Sequence, residues 1–133
     1  AGMGFGYEMG CLIDDVQLAS VTAQVDEAVA KGATVLAGGR PMPELGPTFY
    51  APTVLEGVIP EMEVCAGETF GPVVALYPFD TSDEAVEMAN DSEYGLHAVL
   101  WTRDTREGLR LAERIADHDR ECDRRDDYHT SRR

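Results

Sequence analysis

Between Pro72 and Ile115 the chain alternates two periods. "VVALYPF" is a β-branched and aromatic run, "DEAVEMAN" carries its apolar residues at helical spacing, "LHAVLWT" is strand-like again, and "TREGLRLAERI" returns to the helical period. A chain alternating in this way has few folds open to it, because each helix must cross back over the sheet before the next strand can lie beside the last. The β-α-β-α order over residues 72–115 therefore predicts an α/β fold whose sheet is mostly parallel and built from βαβ units. Local signals agree: Thr81 with Glu84 predicts a capping box for the first helix, and Asp104 with Glu107 a second box. On the second helix Leu109, Ala112 and Ile115 predict a narrow apolar face.

Upstream, Leu18, Val21, Val25, Ala28 and Val29 recur at helical spacing between Asp14 and Lys31, with acids at the start and Lys31-Gly32 at the end, which predicts an amphipathic helix with one buried stripe. "ATVLA", residues 33–37, reads as a short buried strand, and "GGRPMPELGP" as a loop. "TFYAPTVLEGV" predicts a second strand. Its Pro52 argues for an edge, a bulge or an irregular start rather than a central ladder position.

The 133 residues are enough for one domain with a core, but an alternating sheet covered on both faces usually takes more chain, so the expectation is one domain or a piece of one. A net charge of -14 opposes nucleic acid and anionic membrane surfaces as partners. The longest apolar runs are strand-sized, and "AGMGFGYEMG" lacks the basic and apolar regions of a secretory signal, which predicts a cytoplasmic location. Cys11, Cys65 and Cys122 are too far apart for a metal clip and read as free thiols; His97, His118 and His129 are isolated, so no metal is expected. Residues 116–133 hold six acids and five arginines with one large apolar side chain, Tyr128. Such a segment cannot bury enough surface to offset its ordering entropy, and it is expected to be a disordered tail after a structured part spanning 1–115.

The stretch "CAGETFGPVVALYPF" sets Glu68 and Phe70 before a Gly-Pro turn that feeds a strand. Two readings fit the residues alone: a solvated glutamate beside a core phenylalanine, or a carboxylate and a ring presented to a ligand from the strand's mouth. Cys65 lies three residues before Glu68, but no histidine is near in sequence to activate it.

Four stretches, "MGCLIDDVQLASVTAQVDEAVAKGATVLAGGR", "GPTFYAPTVLEGV", "ETFGPVVALYPF" and "ANDSEYGLHAVLWTRD", resemble in that order the C-terminal half of the aldehyde dehydrogenase catalytic domain, from about Gly6 to Ile115. The flavour is that of the bacterial succinate-semialdehyde and betaine-aldehyde types. The resemblance implies a partial aldehyde dehydrogenase catalytic-domain fold and NAD or NADP as cofactor. It places Glu68 on the hydroxyls of the nicotinamide ribose and Phe70 beside the nicotinamide ring, with Gly71 and Pro72 fixing the loop. Both roles suit the side chains: a carboxylate accepts from two vicinal hydroxyls, and an aromatic face covers a planar heterocycle. The family attacks its aldehyde with a cysteine thiolate to form a thiohemiacetal and hydrolyses the later thioester with a glutamate base. By the resemblance both groups, and the dinucleotide-binding domain, lie N-terminal to the matched segment, so no catalytic residue is expected here and the chain alone is expected to be inactive. Cys11 stands where the family has proline in "M-G-P-L-I". Family members are homo-oligomers, which implies an aldehyde substrate only in a complete enzyme and self-association, or pairing with a homologue, for this segment. The alternative is a non-catalytic remnant or interaction module that pairs with a full-length homologue.

Overall fold

The computed structural model describes residues 9–92, 94–95 and 97–115, which divide into two compact units, Ala1–Pro78 and Phe79–Arg133. In the first unit, α1 (Asp15–Ala30) begins where Asp14 caps it, the side chain accepting from Gln17 N at 2.8 Å, and ends at Lys31. Val21, Val25 and Ala28 are buried as the periodicity predicts, and Leu18 packs partly against them. Val29 is exposed, so the stripe is one residue narrower than expected.

Three strands follow in the order β1 (Thr34–Ala37), β2 (Thr53–Glu56), β3 (Val73–Leu76), with the four-residue helix α2 (Glu63–Ala66) between the last two. β2 is central. It pairs antiparallel with β1 and parallel with β3, in a register that sets Leu55 between Val35 and Ala75. The sheet is thus mixed where a mostly parallel one is expected; β2-α2-β3 is its parallel crossover. Pro52 stands just outside the ladder, which opens at Thr53, so the irregular start is the outcome and no donor is lost. The ladder also shifts register between Val35 and Ala37. There Gly38 (φ 72°) approaches β2 so closely that a Cβ on it would fall 2.1 Å from the Pro52 carbonyl oxygen.

The core lies on one face of this sheet. Val21, Val25 and Ala28 of α1 pack with Leu55, Tyr50, Val58 and Met62, and with Val73 and Ala75 at the side. On the other face Val74 and Leu76 are exposed. β1, expected to be buried, is exposed at all four residues, because it is an outer strand and the core under α1 gathers around β2 and β3.

The second unit contains α3 (Ser82–Asn90) and α4 (Thr105–Ala112). The Thr81 cap forms, accepting from Glu84 N at 3.2 Å, while the Glu84 carboxylate accepts at 2.8 Å from Asp80 N, one residue before the cap, in place of Thr81 N. The α4 box forms by half. Asp104 accepts from Arg106 and Glu107 N, but the Glu107 carboxylate turns to Arg110 at 2.7 and 2.9 Å. The buried face of α4 runs through Gly108 and Leu111, and Leu109, expected inside, is 62% exposed. Gly108 sets that phase, since a Cβ there would meet Thr102 Cγ2 at 2.7 Å, so the helix approaches on its side-chain-free side. Arg114 joins the helices, donating to Asp83 at 2.6 Å while its carbonyl accepts from Asn90 Nδ2 at 3.0 Å.

The expected strand "LHAVLWT" is not one over its described residues 97–102. A strand exists through its ladder, and the described elements of this unit are two helices with no strand to pair with. Trp101 is 93% exposed there. The expected tail, residues 116–133, lies outside the described residues.

Candidate functional site: the loop before β3

The loop carrying Glu68 and Phe70 leaves α2 at Gly67 and enters β3 at Val73. Exposure alternates along it: Glu68 and Phe70 face outward, while the Thr69 hydroxyl between them is buried. The Phe70 ring is 70% exposed. The backbone beneath it is closely held. Gly71 N donates to Thr69 O and Val73 N to Gly71 O, both at 2.9 Å, making two successive tight turns, and Thr53 N donates to Pro72 O at 2.7 Å. From α1, Gln17 Nε2 donates to Phe70 O at 2.8 Å. Gly71 rests on α1 as well: a Cβ there would lie 2.5 Å from Val21 Cγ2, so a side chain at position 71 would push the loop away.

A cavity of about 700 Å³ opens beside the loop, within the size range of small-molecule sites. Thr69 and Phe70 line it together with Gln17, Tyr50 and Cys11; Glu68 stands outside its wall. Among the described residues the buried hydroxyls of Tyr50 and Thr69 find no hydrogen-bond partner. Burial first, then the Asp26 charge, raises the Tyr50 pKa, so the phenol stays protonated.

Sequence reasoning named Glu68 and Phe70 and did not single out Gln17, Tyr50 or Thr69, which lie beside Phe70 in the structure. No local signal marks Gln17, whose partner is 53 residues away. Cys11, read as a free thiol standing in place of a family proline, lines the same cavity as Phe70. Cys65 sits on α2 and meets the Tyr77 hydroxyl rather than a base; burial and that hydrogen bond push the Tyr77 pKa up to about 12. Among the described residues no three His, Cys, Asp or Glu side chains are grouped to hold a metal ion, and no helix is long and apolar enough to cross a membrane.

Solved structures define the class. The chain superposes on part of a Burkholderia pseudomallei succinate-semialdehyde dehydrogenase (TM-score 0.76, 42% identity, 83% of this chain and 23% of that one). It superposes equally on a Bacillus cereus aldehyde dehydrogenase solved as an NAD+ complex (TM-score 0.76, 40% identity, 81% and 22%). The sequence profile of the aldehyde dehydrogenase family matches residues 3–117, and the chain belongs to that family. A Mycobacterium tuberculosis relative, provisionally named succinate-semialdehyde dehydrogenase (NADP(+)) 2, is 56% identical over 111 residues, which are 84% of this chain and 21% of that protein. An Acinetobacter baylyi succinate semialdehyde dehydrogenase is 37% identical over 114 residues, 86% and 23%. The chain therefore spans about a fifth of the length of the curated relatives it matches.

Proposed function

We propose that this chain is the cofactor-facing segment of an NAD- or NADP-dependent aldehyde dehydrogenase, in which Glu68 and Phe70 hold the nicotinamide riboside. The observation that carries this reading is the Phe70 ring, 70% exposed on a backbone pinned from both α1 and β2. Leaving a phenylalanine in water forgoes about 1.5–3 kcal/mol relative to burying it, and a flat apolar ligand face would recover part of that. The Glu68 carboxylate, exposed two residues earlier on the loop, is an acceptor suited to a vicinal diol. These residues fit a nicotinamide riboside. When bound, that group accepts the hydride released as the aldehyde is oxidised to an acid. Phe70 covers one face of its ring and limits its tilt, Glu68 anchors the sugar, and Gly71 keeps the loop against α1.

Attack on the aldehyde needs a thiolate, and release of the acid needs a base; on this reading both come from sequence N-terminal to the segment. The isolated chain then turns over no aldehyde. Its relatives' names make succinate semialdehyde the first substrate to try in a complete enzyme. The test grafts residues 6–115 into a full-length relative and measures hydride transfer with deuterated aldehyde. Glu68→Gln keeps the shape but removes the charge, and both it and Phe70→Ala should slow the hydride step and enlarge the isotope effect, because misplacing the ring by even about 1 Å can cost some hundredfold. Unchanged hydride rate and cofactor affinity in both variants would overturn the proposal.

A further inference from the structure

From the link between α1 and the loop we infer that Gln17 is a positioning residue for the nicotinamide site, acting through the Phe70 carbonyl. The inference rests on the cofactor reading above. It follows a physical chain. Asp14 caps α1 by accepting from the backbone N–H of Gln17, which fixes the first turn and the direction in which the Gln17 side chain leaves it. That side chain spans from α1 to the loop and donates to Phe70 O at 2.8 Å. The carbonyl it grips belongs to the residue whose ring is exposed, and Gly71, next in the chain, seats on Val21 one turn further along the same helix. The loop is thus latched to α1 at two adjacent points, one a hydrogen bond and one a close packing contact.

The two points do different work. Packing of Gly71 on Val21 sets how near the loop lies to the helix, and the turn closed by Gly71 N on Thr69 O shapes the Phe70–Gly71 peptide within the loop. The Gln17 hydrogen bond ties that same peptide to α1, and so fixes the place and direction from which the Phe70 side chain leaves the backbone. Gln17 also lines the cavity beside the loop, so its amide occupies the wall from which Phe70 projects. An exposed ring turns quickly about its own χ angles, so the latch supplies a fixed stem for the ring.

Two measurements test this. In the 133-residue chain, Gln17→Glu keeps the length of the side chain and replaces the donor with an acceptor. The Gly71 amide shares its peptide bond with the Phe70 carbonyl, so its resonance should shift while that of Thr53, bonded to Pro72 O, stays close to wild type. A Gly71 amide unmoved by Gln17→Glu would overturn the latch. In the full-length graft, Gln17→Glu should slow hydride transfer roughly five- to tenfold and enlarge the isotope effect, with the unfolding temperature nearly unchanged. Gln17→Lys, which restores a donor on a stem long enough to reach the carbonyl, should recover part of the rate. If Glu68→Gln and Phe70→Ala slow the hydride step and Gln17→Glu does not, the positioning role is wrong and the cofactor reading stands. If all three leave it unchanged, both fall together.

Discussion

Two stretches of this chain are nearly alike in composition and fold differently. "VVALY", in the first unit, forms β3, while "HAVLW", in the second, runs without a ladder. β-branched and aromatic content is the same signal in both. What differs is the neighbour: β3 lies beside β2, with Ala75 opposite a fully buried Leu55, and the described part of the second unit offers residues 97–101 two helices and no strand. β-propensity records how well a residue suits a pleated, half-buried surface, and it becomes structure only where another strand completes that surface. The same contrast separates the backbones beneath two exposed rings, Phe70 and Trp101. The first hangs from a backbone bonded to α1 and β2, the second from a segment whose Val99 and Trp101 stand in solvent.

Mutation can sharpen or break that contrast, and the largest effect belongs to the strand that completes it. Leu55→Ala, at a fully buried position in the middle of the sheet, should cost about 2–5 kcal/mol in urea unfolding, whereas Val99→Ala should stay within about 0.5 kcal/mol. Equal losses would show that residues 97–101 are packed after all. Next comes Gly71→Ala, which drives a methyl into Val21 and should destabilise the first unit by about 1–3 kcal/mol, with raised amide exchange at Val73 and Thr53. A neutral result there would mean that the loop is not seated on α1.

Acid should loosen both units modestly. In the first, Glu27 pairs with Lys31 and accepts from Glu63 N at 3.2 Å, and its pKa is lowered from 4.5, first by the Lys31 hydrogen bond. In the second, Arg114 lowers Asp83 from 3.8, and Arg110 lowers Glu107 from 4.5. A carboxyl whose folded pKa lies below its unfolded one contributes stability above the unfolded value and loses it as pH falls through the folded one. The loss should therefore appear below about pH 4.5, shrink with added salt, and be partly abolished in the first unit by Glu27→Gln. A stability curve flat through that window would discount all three pairs. The smallest change expected is in Trp101 fluorescence: the only tryptophan, 93% exposed, should emit as in water and shift little on unfolding. A blue-shifted native spectrum would place a partner over it.

What could be read from sequence divides along the same line. The acidic start of α1, the buried Val21, Val25 and Ala28, and the Thr81 cap depend on residues within a few positions of one another, and local sequence carries them. The outward Glu68 and Phe70 were legible because a family motif marks them. The exposure of β1, the antiparallel β1-β2 pair and the Gln17 latch depend on partners that no local pattern names. Leu109 was assigned to the wrong face for a related reason. Spacing along α4 gives a stripe but not its phase, and the phase is set by the close approach of Gly108 to Thr102.

The central place of β2 also bears on how the first unit assembles. Its two partners are the strands immediately before and after it in the chain, reached across residues 38–52 and 57–72, so neither pairing waits for a remote segment. Closing such loops costs less entropy than pairing remote strands would, and of the two pairings the parallel one, β2 with β3, is the slower to form. As the chain leaves the ribosome, α1, β1 and β2 can form a docking template before β3 emerges, and the loop bearing Phe70 takes its shape at the moment β3 zips alongside. In a pulse-labelling experiment on refolding, the amides of β1 and β2 should gain protection no later than Gly71.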